Sequence, residues 1–193
     1  AQRAVKGMKE YGISKIIIMP PPFTPEHPND YDVDEMAAMV KAHPGKFAFI
    51  AGGGTLNPII QRSVDLGRVT ETMRQSFKKE AKAILDKGAV GFGEFAIEHL
   101  CLGKTHNHQS AKPDHPLFLL LADIAAENNV PIDIHMEAVE KKCPLPEGLS
   151  SPPNPKTLDE NIRALEKLLA HNRKAKIIWS HIGWCNTGQR TAQ

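Results

Sequence analysis

The stretch Pro131-Ile132-Asp133-Ile134-His135-Met136 decides how this chain is read. It is a short β-branched apolar run, the signature of a buried strand, and its last polar residue is an imidazole. Asp133 lies two residues before His135, so on a strand both point the same way. The residues before it, from about Pro116 to Asn129, place Leu117, Leu120, Leu121, Ile124 and Ala125 on one helical face. After a Pro-rich loop at 139–156, a second helical pattern at 157–171 aligns Leu158, Ile162, Leu165 and Leu169. Lys176-Ile177-Ile178-Trp179-Ser180-His181 then repeats the first theme, an apolar strand ending in histidine.

The same alternation extends towards the N-terminus. A weak helical pattern at 2–11 precedes the run Lys15–Met19, which Pro20-Pro21-Pro22 stops. A helix is expected at 33–42, then a strand Phe47–Ala51 ended by Gly52-Gly53-Gly54, a short helix within 56–67 and an amphipathic helix from Thr70 to Lys87. Ala89–Glu94 reads as a strand with an acid at its C-terminal end, followed by a loop at 99–113 holding His99, Cys101, His106 and His108. The five strands start roughly 30–45 residues apart, the spacing of βα units in a parallel α/β sheet. Spacing alone fits an open doubly wound sheet or a barrel; the barrel needs eight strands.

Composition narrows the class. The chain has 193 residues, 41% hydrophobic and 24% charged, with a formal net charge of +2. This is a folded domain rather than a disordered segment. The charge balance gives no basic surface of the kind nucleic acids require, and no apolar run is long enough to span a membrane. The opening Ala1-Gln2-Arg3 carries no initiator Met, so this is not expected to be the start of the gene. Cys101, Cys143 and Cys185 are odd in number and widely spaced, with no CxxC. Free thiols in a reducing, cytoplasmic compartment are expected.

Chemistry is expected where the strands end. Glu94, His135 and His181 each close an apolar strand, and in a parallel sheet the C-terminal strand ends share one face. Two imidazoles and a carboxylate converging there suit Zn²⁺ or a similar divalent ion. Asp133 is placed to orient a ligand imidazole or to pair with a base on a neighbouring strand, with a buried acid satisfied by backbone or water as the alternative. His99 and Trp184 are candidates for touching substrate. His106-x-His108 follows no strand and is not assigned to metal. Cys185 lacks an identifiable base, and Gly52-Gly53-Gly54 lacks the spacing of a nucleotide loop.

The stretches Val90–Glu94, Pro131–Met136 and Lys176–Gly183 resemble the amidohydrolase superfamily, in its branch of small metal-dependent hydrolases of the "amidohydrolase 2" type. The resemblance implies a (β/α)8 TIM barrel of which this chain supplies strands 2–6, as a single partial catalytic domain over residues 1–193. It implies that His135 and His181 match the metal-binding histidines ending strands 5 and 6, and that Glu94 matches the strand-4 ligand position. The family's strand-1 His-x-His and strand-8 Asp have no counterpart here. Either further segments or a partner, a homo-oligomer among the options, is expected to cover the open sheet edges. The implied activity is hydrolysis of a small amide, lactone or ester by metal-activated water, with no nucleic-acid or membrane partner. The alternatives are metal-dependent decarboxylation of an aromatic or unsaturated acid on the same barrel, and a non-catalytic barrel domain.

Overall fold

The computed structural model describes residues 2–27, 32–101, 107–149 and 154–181. His106, Trp184 and Cys185 therefore lie outside the described residues. In chain order the elements are α1 (Gln2–Glu10), β1 (Ile16–Ile18), α2 (Val33–Ala42), β2 (Phe47–Phe49), β3 (Ala51–Gly52), α3 (Leu56–Asp65), α4 (Glu71–Asp86), β4 (Phe92–His99), β5 (Gln109–Ser110), α5 (Pro116–Glu127), β6 (Pro131–Met136), β7 (Cys143–Pro144), β8 (Thr157–Leu158), α6 (Ile162–His171) and β9 (Lys176–Ser180).

Five parallel lanes stand side by side in the order of the chain. β1 pairs with β2, β3 with β4, β4 with β6 and β6 with β9, all parallel. β2 and β3 are one strand broken at Ile50, whose N–H donates to Ile18 O. A doubly wound sheet reverses its order at a switch point; a barrel wall does not. The order here never reverses among the described strands, so the fold is α/β with the wall of a partial barrel. Ile17 on β1 and Ile178 on β9, at the two outer strands, are exposed.

The helices seal one side of this wall. Phe49, Phe77, Phe92, Phe95, Phe118, Leu117, Leu121 and Ile84 form its fully buried core. Phe95 of β4 meets Phe118 of α5 edge-on, ring centroids 6.0 Å apart, a favoured aromatic geometry. The helix starts obey their sequence signals. Thr70 accepts from the Met73 N–H at the head of α4, and Pro116 occupies the first turn of α5 behind the capping His115.

The Gly-rich turn after β3 is a packing device. A Cβ on Gly53 would stand 2.3 Å from Pro21 O, so only glycine admits the loop that leaves β1. The Gly52 and Gly54 N–H groups donate to the buried carboxylate of Asp32 at 3.0 Å each, and Thr55 Oγ donates at 2.9 Å. An acid therefore sits where a phosphate would need to bind.

Three expectations need correction. The strand expected at 89–94 runs from Phe92 to His99, so Glu94 is its third residue rather than its end. Phe95-Ala96-Ile97 continue the apolar run past the acid, and burial keeps it extended. The helix expected from 157 starts at Ile162, because Thr157 and Leu158 pair antiparallel with Cys143 and Pro144 instead. The loop expected at 99–113 contains β5, which folds back antiparallel on Glu98 and His99. Among the described residues no helix is long and apolar enough to cross a membrane.

Candidate metal centre

β4, β6 and β9 are neighbours, and each brings one of the expected ligands to the same place. Glu94 is buried early in β4, His135 is the fifth residue of β6, and His181 comes directly after β9. Both rings converge on one oxygen. Glu94 Oε1 lies 3.0 Å from His135 Nδ1 and 3.5 Å from His181 Nε2. The donor atoms of the three residues all lie within 4.8 Å of one another, and among the described residues this is the one such group.

The set fits a divalent cation. Bonds of about 2.0–2.2 Å to imidazole nitrogen and carboxylate oxygen put neighbouring donors about 3–4 Å apart. The separations here need only a small side-chain adjustment to reach that geometry. Two neutral imidazoles and one carboxylate suit zinc and also the open sites of other transition metals. The burial gradient also matters. The Glu94 side chain is 10% exposed and that of His181 is 63% exposed, so the group opens from a dry floor to a wet mouth.

Asp133 lies below this group on β6. Ser180 Oγ stands 2.9 Å from both Asp133 carboxylate oxygens, joining β6 to β9 one residue before His181. The contact described for Asp133 is with a hydroxyl of the neighbouring strand rather than with a base or a ligand imidazole. Burial pushes its carboxyl above the usual carboxylate range. The Ser180 hydrogen bond pulls the other way, the Glu94 charge adds to the rise, and His181 and His135 oppose it. Gly93 leaves the room for Asp133: a Cβ there would stand 2.7 Å from Asp133 Cβ.

His99 joins the cluster from the end of β4. Its ring meets His135 edge-on, centroids 4.2 Å apart, and His135 meets His181 in the same way at 5.3 Å. His108 goes elsewhere and pairs with Glu98 at 2.6 Å. Trp179 packs against the core while its indole N–H donates to Met136 O at 2.9 Å, a structural role.

Sequence reasoning missed the polar groups behind β4. Asn57 and Gln61 of α3 are buried and hydrogen-bond both backbone groups of Ala96, and Gln109 bonds Asn57 in turn. The available signal was two amides four residues apart on the same helix face as Leu56 and Ile60.

No protein-family model matches the chain, and no curated protein sequence matches it. Solved structures do. The chain is similar to a dihydroxybenzoic acid decarboxylase from a Polaromonas species, solved with bound manganese and the inhibitor 2-nitroresorcinol. The TM-score is 0.57 and the identity 18%, covering 94% of this chain and 54% of that one. It is also similar to 2,6-dihydroxybenzoate decarboxylase complexed with 2,6-dihydroxybenzoate, at TM-score 0.54 and 16% identity, over 93% of this chain and 55% of that one. A third is 5-carboxyvanillate decarboxylase from Sphingomonas paucimobilis, at TM-score 0.50 and 13% identity, over 95% of this chain and 51% of that one. The chain thus spans about half the length of the structures it matches, and at these identities the likeness carries the fold, a partial (β/α)8 barrel.

Proposed function

We propose that residues 1–193 belong to one barrel catalytic domain of a metal-dependent decarboxylase acting on a hydroxylated aromatic acid. Glu94, His135 and His181 are then among the groups that hold the ion. The observation that carries this reading is the convergence of their donor atoms, from three adjacent parallel strands, within 4.8 Å of one another. The resemblance in sequence put hydrolysis first. The three solved structures named above are all decarboxylases, and that supports the alternative instead.

The residues divide the work. Glu94 contributes the negative charge that balances a cation, from a site dry enough for that charge to count. His135 is oriented from two sides, by Glu94 and by the His99 ring. His181 stands at the exposed mouth, where a substrate arrives. A bound divalent ion supplies Lewis acidity towards the oxygens of the substrate. Zinc suits this donor set; manganese, present in one similar structure, does so as well. Loss of CO₂ breaks the bond from carboxyl to ring, leaves its electron pair on the ring carbon, and requires one proton there.

Elemental analysis of the full chain, with turnover of 2,6-dihydroxybenzoate monitored by CO₂ release, tests the proposal. Stoichiometric metal and activity that is abolished by chelation and restored by Mn²⁺ or Zn²⁺ are expected. Turnover that survives chelation, or ester and lactone hydrolysis without CO₂ release, would sink it.

A further inference from the structure

Glu94 and His99 are five residues apart on β4. On a regular strand an odd separation sends two side chains to opposite faces. Both nevertheless meet His135, Glu94 by a 3.0 Å contact and His99 by a ring packed at 4.2 Å. The register explains how. β4 slips against β6 twice, once between Phe92 and Phe95 and once between Ala96 and Glu98. The second slip puts one extra residue of β4 between Glu94 and His99 and so brings both to the same face, as a β-bulge does, while the first brackets Glu94 itself.

Ala96 sits between the two slips. On the β3 side the ladder has already ended, because β3 pairs only as far as Gly52 with Gly93. α3 takes over from the missing strand. Asn57 Oδ1 accepts from the Ala96 N–H at 3.1 Å, and Gln61 Nε2 donates to Ala96 O at 3.0 Å. Two side-chain amides, one helical turn apart, bond to β4 as a neighbouring strand would. They are themselves anchored. Asn57 Nδ2 donates to Phe23 O at 2.8 Å and to Gln109 Oε1 at 2.7 Å, and Gln109 Nε2 donates to Pro22 O at 2.8 Å. The clip therefore joins α3, β4, β5 and the loop leaving β1.

We infer that Asn57 and Gln61 are positioning residues for the candidate metal centre: by holding both backbone groups of Ala96 they keep β4 in the bulged form that turns Glu94 and His99 onto His135. The inference rests on the reading of Glu94, His135 and His181 as ligands. A buried backbone pair without partners is costly, so β4 without the clip re-pairs and its side chains turn.

Gln61→Met is the test, because it keeps the length and packing of the side chain but cannot donate to Ala96 O. Asn57→Asp is the second variant, replacing the donor to Phe23 O and Gln109 with an acceptor. Each full chain, shown folded by circular dichroism, is titrated with Co²⁺ and its visible spectrum recorded. The expected result is a Co²⁺ affinity about tenfold weaker and altered ligand-field bands, the size of effect that residues supporting metal ligands give. In the metal-free protein, the ring NMR signals of His99 and His135 are expected to move while those of His171, out on α6, stay. Wild-type affinity and bands in folded Gln61→Met, with both ring signals unmoved, overturn the inference. If the unaltered chain takes up no Co²⁺, the metal reading fails, and the ring signals alone then decide: movement keeps the clip, and no movement removes it.

Discussion

One strand, β4, carries two carboxylate–histidine pairs, and they have different fates. Glu94 meets His135 at 3.0 Å and Glu98 meets His108 at 2.6 Å. The side-chain exposures are the same in both, 10% for each glutamate and 19% for each histidine. Burial and pair chemistry therefore do not separate them. The third partner does. The first pair has a second imidazole, His181, aimed at the same glutamate oxygen. The second has a hydroxyl: Ser110 Oγ donates to Glu98 Oε2 at 2.9 Å. Three convergent ligand atoms make a place for a cation; a carboxylate closed by a ring and a hydroxyl makes a satisfied buried group. A small cavity of about 200 Å³ lies beside the second pair, walled by Lys112, Asp159, Glu160 and Asn161 as well. The lesson is that a buried Glu–His contact is evidence of metal only when a further donor points at it.

The sharpest way to break the comparison is to truncate the first pair. His135→Ala should abolish stoichiometric metal and with it turnover, while the fold persists, since the ring lies in the site and not in the helix-packed core. Metal content by elemental analysis and turnover of 2,6-dihydroxybenzoate read both. Full metal occupancy in the variant would collapse the distinction between the pairs.

A smaller effect is expected at the second. Among the described residues, His108→Ala leaves Glu98 with Ser110 as its side-chain hydrogen-bond partner. It should cost about 1–3 kcal/mol of stability, the range for a buried polar group that loses a partner. Urea unfolding measures that loss, and metal content should stay at the wild-type level. If His108→Ala loses metal as His135→Ala does, the two pairs act as one site, and the division between them is wrong.

The first pair and its third ligand were legible in the sequence together with much of the frame; the fate of the second pair was not. The apolar runs around Ile16–Ile18, Ile132–Ile134 and Ile177–Ile178 mark the strands because buried parallel strands are apolar on both faces. His135 and His181 are legible because each polar group closes such a run. Glu94 stands out for the same reason, but there the reason fails. The run continues beyond it to His99, and the acid reaches the site by a bulge rather than by ending a strand. Period counting assumes a regular strand and cannot see a bulge. Asn57 and Gln61 are hidden differently. Their helix is expected, but a polar side chain on an apolar stripe shows its purpose only when the Ala96 backbone it serves is known. His108 stands beside His106 as a mock ligand pair, and only β5 folding back onto Glu98 assigns it.

The smallest expected effect extends the comparison to a third half-buried histidine, whose state is fixed by its neighbours. His115 caps α5: its Nδ1 accepts from the Leu117 N–H at 3.2 Å. Its Nε2 lies 3.1 Å from Ser63 Oγ, and that hydroxyl donates to Ile60 O at 2.6 Å. Ser63 thus spends its proton on Ile60, so the ring proton belongs on Nε2 and Nδ1 is left as an acceptor. This is a neutral imidazole, and a second proton could enter only at Nδ1, where it would break the cap. Burial lowers the affinity of this ring for that proton, the Arg74 charge lowers it further, and Asp114 opposes both. The folded chain then holds fewer protons than the unfolded chain below the ordinary histidine value of about 6.5. The cap's contribution is complete above that pH and is lost as pH falls through the lower, folded value. His115→Asn supplies a capping oxygen that does not titrate in this window. Between pH 7.5 and pH 5.5, stability from urea unfolding should therefore fall further in the wild-type chain than in the variant, by about 1 kcal/mol, the usual worth of a cap. Equal losses in the two proteins would mean that the folded ring takes its second proton as readily as the unfolded one and that Nδ1 does not cap the helix.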